Sequence, residues 1–148
     1  MGATLEAKIK LINEQIKFSC RSKDNTEIIT DYIPPLGNNE GYMPLELFLI
    51  SLATCTSGTI LPLLRRMKKT IDGFEMKIEG TRKDQHPTAF SRIMMDIQVQ
   101  SDDLENSDIE KALKLAEETY CPVWAMIKNN VKVEAKYKII KTKSDART

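Results

Sequence analysis

Residues 44–69 read Pro44-Leu45-Glu46-Leu47-Phe48-Leu49-Ile50-Ser51-Leu52-Ala53-Thr54-Cys55-Thr56-Ser57-Gly58-Thr59-Ile60-Leu61-Pro62-Leu63-Leu64-Arg65-Arg66-Met67-Lys68-Lys69. As far as Cys55, apolar side chains fall on nearly every face of a helix, and a helix that is apolar all round is a buried one. The stretch turns basic at Arg65, Arg66, Lys68 and Lys69, where cations meet the negative end of a helix dipole. Pro62 has no N–H and is expected to kink the helix or to restart it after Gly58. Glu46, Ser51, Thr54, Thr56, Ser57 and Thr59 interrupt the apolar run, which argues against a membrane span.

Outward from this helix, apolar and polar residues alternate in four segments. Leu5, Ala7, Ile9 and Leu11 form the first, Phe74, Met76 and Ile78 the second. Ile93, Met95, Ile97 and Val99 form the third, and Val131, Val133, Ala135, Tyr137 and Ile139 the fourth. Each reads as a strand with one buried face. Residues 16–20 and 28–32 are weaker strands around the turn-rich Ser22-Lys23-Asp24-Asn25, and residues 34–41, Pro-Pro-Leu-Gly-Asn-Asn-Glu-Gly, are a loop by composition. Ser107, with Glu110 as capping-box partner, opens an amphipathic helix carrying Ile109, Leu113, Leu115 and Ala116. That helix breaks at Cys121-Pro122, and Pro122 starts a short helix that runs to Asn129. From Lys141 the tail is polar and expected to fray. The order is three strands, a long buried helix, two strands, two helices and a last strand. This is no repeated βαβ alternation, so the expected class is α+β with largely antiparallel sheets. A helix apolar on every side needs more cover than one small sheet supplies, and dimerisation around it is the economical answer.

The 148 residues suit a single domain, 1–148, with 41% hydrophobic residues for a core and 29% charged residues for a soluble surface. Lys+Arg number 22 against Asp+Glu 21, for a formal net charge of +1, so no basic excess marks a nucleic-acid surface. The first residues lack the apolar core of a signal peptide, and Glu6 stands where a myristoylation signal wants Ser or Thr. The expected location is the cytoplasm, where thiols stay reduced and disulfides are transient.

The candidate chemistry lies in cysteines. Three Cys and one His are scattered without C-x-x-C or H-x-x-x-H spacing, so no metal site is expected. A thiol pair without metal spacing points to redox chemistry, in which one thiolate attacks an oxidant and a second releases it as a disulfide. Cys55 lies about three turns into its helix, too deep to feel the dipole strongly. Apolar surroundings raise its pKa, so it needs a cation from Arg21, Arg65, Arg66, Arg82 or Arg92. Cys121 stands before Pro122 at a helix start, where free N–H groups stabilise an anion, and local sequence makes it the more acidic thiol. The alternative for either is plain packing, since free cysteine is among the most buried residue types. Cys20 reads as a packing or surface thiol and His86 as an exposed turn residue. Trp124 either lines a pocket or anchors the short helix. Glu46 either complements the helix dipole or orients an arginine.

At Pro44-x-Glu46-Leu47-x-Leu49, Cys55, Ile60-x-x-x-Leu64-x-x-Met67, Gly80, His86-Pro87 and Tyr120-Cys121-Pro122-Val123, the chain resembles the OsmC/Ohr family of thiol-dependent peroxidases. The resemblance runs from about residue 5 to residue 140. It implies an OsmC-like fold in an intertwined homodimer, long helices at its centre and active sites at the subunit interface. It also implies that Cys55 is the peroxidatic thiol, oxidised by an organic hydroperoxide to a sulfenic acid, and that Cys121 resolves it as a disulfide. A lipoyl or thioredoxin-like dithiol would restore the pair, with no cofactor. Leu45 stands where the best-studied members carry Glu, with Glu46 one place later. No Gly-Gly-Arg lies near the N-terminus, and Arg21 is the nearest arginine candidate. The resemblance overrules the local ranking of the thiols, because a dimer partner can supply charge. The alternatives are a non-catalytic protein binding a lipid-like or other small molecule in the same apolar pocket, and a redox sensor.

Overall fold

A computed structural model describes residues 2–142, so the polar tail expected from Lys141 lies, beyond Thr142, outside the described residues. The chain divides into two compact units, one ending at Phe48 and one beginning at Leu49. The division falls inside the helix α1, Pro44–Arg66.

The first unit holds an antiparallel sheet of β1 (Lys8–Leu11), β2 (Phe18–Arg21) and β3 (Ile28–Thr30), in that order. Ile9 stands opposite Cys20, and Ser19 opposite Ile29. The alternation in residues 5–11 predicts a buried face, but Leu5, Ile9 and Leu11 are exposed in the single chain. The loop after β3 is folded around one carboxylate. Asp31 is buried and accepts N–H groups from Tyr32 at 2.8 Å, Asn38 at 3.1 Å and Glu40 at 3.1 Å. Its own burial pushes the carboxyl up, but those three N–H groups and the charge of Lys17 outweigh that and hold it below the ordinary value. Gly37 is needed where it is, because a Cβ there would run into the Asp31 carboxylate and the Tyr32 backbone.

The second unit is built on β4 (Gly73–Arg82), β5 (Phe90–Gln100) and β6 (Lys132–Ile140). The strand β4 runs antiparallel to β5, with Met76 opposite Ile97 and Ile78 opposite Met95. The expected largely antiparallel arrangement holds for three of the four strand pairings, and the fourth is the exception. β5 and β6 are parallel, because the chain returns to the sheet through α2 (Asn106–Leu115) and α3 (Pro122–Ile127) and re-enters in the same direction. The buried face of β5, with Ile93, Met95, Ile97 and Val99, makes the core together with Leu52, Ile60 and Leu64 of α1, Leu104, and Ile109 and Ala112 of α2.

The helix α1 runs unbroken through Pro62. Both Pro62 and Gly58, whose carbonyl Pro62 cannot satisfy, are on an exposed face, where water can take that bond. Within the chain α1 buries one i, i+4 stripe, Leu52, Thr56, Ile60 and Leu64, and its other apolar residues stay partly exposed. Burial all round is therefore not achieved by a single chain. Length and composition alone would also let α1 cross a bilayer, as they would for many core helices. The start of α2 departs from the expected Ser107–Glu110 box. Glu105 caps it and donates its N–H to Asp108 at 2.9 Å, while Glu110 accepts the Tyr137 hydroxyl.

Candidate functional site: two thiols at a helix start

The helix α2 does not simply end before Cys121. It runs into a π-helical turn, Ala116–Tyr120, in which the Cys121 N–H reaches back five residues to the Ala116 carbonyl at 2.9 Å. Such turns carry an inserted residue and recur at functional sites. Cys121 then takes an extended backbone (φ −86, ψ 105), and Pro122 opens α3. With a fixed φ and no N–H to satisfy, proline is suited to that position. Trp124 is buried in the core and anchors α3 to it.

This exit carries Cys121 against α1. Its thiol is buried, 2% exposed, and its Sγ lies 3.6 Å from the Thr56 hydroxyl. The adjacent Cys55 is half-buried, and the Val123 N–H and the Cys121 thiol lie close enough to act on its ionisation. Burial pushes the Cys55 thiol up, the Val123 N–H pulls it down, and the hydrogen bond and charge of Cys121 push it up again. The net position is above the ordinary value. Both cysteines, like Cys20, are free thiols.

The free N–H at the start of α3, which local sequence assigns to Cys121, thus serves Cys55. Cys121 occupies the N-cap itself without a side-chain bond there, and it is the ionisation of Cys55, on α1, that the Val123 N–H favours. Beyond Cys55, at i+3, i+4, i+7, i+8 and i+11, Gly58, Thr59, Pro62, Leu63 and Arg66 continue along α1. With Tyr120 they line an open groove of about 230 Å³.

The other candidate residues lie elsewhere. Arg21, exposed at the end of β2, and Glu46 belong to the first unit. The Glu46 carboxylate accepts the Met43 N–H at 2.8 Å, capping the start of α1. Arg82 donates to Thr88, and Arg92 pairs with Glu134 at 3.3 Å. Arg65 and Arg66 close α1. His86 is exposed in the β4–β5 connection, and Cys20 lies 3.9 Å from the Thr30 hydroxyl. Among the described residues no group of His, Cys, Asp or Glu is placed to hold a metal ion. Two features of the site escape a sequence reading, the thiol that a helix-start N–H serves and a buried hydroxyl. The N–H is that of Val123, a backbone atom; the hydroxyl is that of Thr56, whose only signal is its i+4 spacing from Leu52 and Ile60.

A family model for OsmC-like proteins matches residues 37–136. Protein YhfA of Escherichia coli is 23% identical over 138 residues, covering 92% of this chain and 98% of its own. A crystal structure of a hypothetical protein from Aquifex aeolicus matches the fold with a TM-score of 0.83 at 23% identity, over 95% of this chain and 98% of that one. The organic hydroperoxide resistance protein OsmC of Legionella pneumophila matches with a TM-score of 0.69 at 19% identity, over 92% and 97%.

Proposed function

The chain belongs to the OsmC-like protein family, and from that premise we propose that it is a thiol-dependent peroxidase that reduces organic hydroperoxides. The observation that carries this reading is that Cys55 and Cys121 lie close enough for Cys121 to raise the Cys55 pKa, while the Val123 N–H lowers it. The name of the Legionella relative supports the substrate class. Cys55, the more exposed of the two, attacks the terminal oxygen of the hydroperoxide. The O–O bond breaks, the alkoxide leaves and takes a proton to become an alcohol, and Cys55 becomes a sulfenic acid. The Cys121 thiolate then attacks the Cys55 sulfur, the S–O bond breaks, and hydroxide leaves as water. A lipoyl or thioredoxin-like dithiol reduces the disulfide by two exchanges. Pro62, Leu63 and the Tyr120 ring give the groove beside Cys55 some apolar surface, which an organic hydroperoxide can use and hydrogen peroxide cannot.

The working form in this reading is an intertwined homodimer in a reducing cytoplasm. The partly exposed apolar flanks of α1, and the exposed Ile9 and Leu11, are surfaces a second copy would cover. Arg21 is the cation for Cys55 in that assembly, and Glu46 the carboxylate that orients it.

Wild type, Cys55→Ser and Cys121→Ser are to be compared with an alkyl hydroperoxide, followed by non-reducing mass analysis. The expected result is peroxide consumption and a Cys55–Cys121 disulfide in wild type, no turnover in Cys55→Ser, and a trapped Cys55 sulfenic acid in Cys121→Ser. Oxidation of both thiols no faster than free cysteine overturns the reading. One observation favours a second reading, a protein that binds a lipid-like small molecule with its thiols as lining. Cys55 is pushed up overall, and no cation of its own unit contributes to its environment among the described residues. Slow oxidation together with a ligand retained through purification would establish that alternative.

A further inference from the structure

Four hydroxyl residues lie between Thr54 and Thr59 on α1, and three of them spend their proton on the carbonyl four residues back. Thr54 donates to Ile50 at 2.8 Å, Ser57 to Ala53 at 2.7 Å and Thr59 to Cys55 at 3.0 Å. Thr56 makes no such bond among the described residues. It is 0% exposed, and its one partner is the Cys121 sulfur at 3.6 Å. A buried hydroxyl with no carbonyl to donate to keeps its proton for that sulfur. While Cys121 carries its own proton, either group can donate. Once that proton is gone, only the hydroxyl can.

We infer that Thr56 is a further catalytic residue, the hydrogen-bond donor that stabilises the Cys121 sulfur whenever it bears negative charge. The inference rests on the peroxidase reading for its place in the cycle. Cys121 is anionic at two moments. It is the nucleophile when its lone pair forms the S–S bond to the Cys55 sulfenic acid and hydroxide departs as water. It is the leaving group when the dithiol reductant attacks the accessible Cys55 sulfur, the S–S bond breaks, and the electron pair returns to Cys121. Thr56 lowers the energy of both, and it directs the mixed disulfide with the reductant onto Cys55.

The test begins in a Cys20→Ser, Cys55→Ser background, where Cys121 is the sole thiol, with its thiolate absorbance followed in the ultraviolet as pH rises. Thr56→Val is expected to move the absorbance midpoint up by about one pH unit, the effect of losing one hydrogen bond to a charged group. Thr56→Ser, which restores the hydroxyl, is expected to return it. Coincident Thr and Val curves, or a Ser variant that follows Val, overturn the inference. Should the valine variant not fold, Thr56→Ala removes the same hydroxyl. With Cys55 intact and an alkyl hydroperoxide added, Thr56→Val is expected to form the disulfide about tenfold more slowly and to accumulate sulfenic acid. An unchanged rate in a folded variant also overturns it. If wild type leaves the hydroperoxide untouched, the peroxidase reading falls, while the titration still decides the role of Thr56.

Discussion

Replacing Cys121 with alanine should make Cys55 easier to ionise, even though it removes a neighbouring thiol. Three influences act on Cys55: its burial, the Val123 N–H, and Cys121. The substitution leaves the first two in place and deletes the third, whose hydrogen bond and charge both push upward. A hydrogen bond of ordinary net strength, about 1 kcal/mol, corresponds to about 0.7 pH unit, and the lost charge brings the expected fall to about one unit. That is about tenfold more thiolate at neutral pH. A more acidic thiolate is a weaker nucleophile, with a Brønsted slope of about 0.4–0.5, so alkylation should speed up by only about three- to fourfold. The assay is iodoacetamide alkylation of Cys55 across pH in a Cys20→Ser background, quenched and read by mass, with Cys55 resolved from Cys121 by peptide. The midpoint should fall and the neutral-pH rate rise. A midpoint that rises would refute the reasoning, because it would mean that the Cys121 S–H donates to the Cys55 thiolate and had been stabilising it.

Three other expectations follow from the packing. Gly80→Ala should destabilise the second unit by about 1–3 kcal/mol, since a Cβ there would land on the buried Phe90 ring; an unchanged thermal midpoint would show that the ring can move aside. Asp31→Asn should speed amide exchange at Asn38 and Glu40 and lower the thermal midpoint at neutral pH. Because the folded carboxyl is held below its unfolded value of about 3.9, the stability it adds is present above that value and lost as pH falls through the lower folded one. The gap between wild type and Asp31→Asn should therefore close in acid, and a gap independent of pH would assign the effect to shape instead of charge. Sedimentation equilibrium should find wild type at twice the chain mass and Ile50→Glu, on an exposed apolar position of α1, shifted toward the single chain. Wild type sedimenting as one chain would remove the dimer.

Much of the fold is legible in the sequence because burial leaves a period. The i+2 spacing of Ile93, Met95, Ile97 and Val99 marks β5 and its buried face, and the long, mostly apolar stretch marks α1. What a single chain buries of that run is less legible. Composition shows that α1 is apolar all round but not which side its own chain covers, and only the Leu52–Thr56–Ile60–Leu64 stripe is covered. The parallel pairing of β5 with β6 also leaves no period, since it depends on where the chain re-enters the sheet. The start of α2 was misplaced because Ser107–Glu110 and Glu105–Asp108 both offer an acidic partner three residues on, and local sequence does not choose between them.

At the candidate site the sequence offers both cysteines but not the groups that act on each. Ranking thiols by sequence neighbours credits the free N–H groups of a helix start to the cysteine beside it, which makes Cys121 the acidic one. At this cap the Cys121 side chain takes no N–H bond, and the Val123 N–H acts on Cys55 instead. An N-cap side chain commonly takes an N–H of the first turn, but one that it leaves free is open to whatever packs on that end. Here that is α1, and the sulfur presented there is Cys55. The π-helical turn before Cys121 contributes to the same result, because its extra residue changes the angle at which the chain leaves α2. Nothing in Ala116-Glu117-Glu118-Thr119-Tyr120 announces it, since those residues suit an ordinary α-helical turn equally well. Which of two cysteines far apart in sequence feels the Val123 N–H is therefore decided by what packs against the start of α3, not by nearness along the chain.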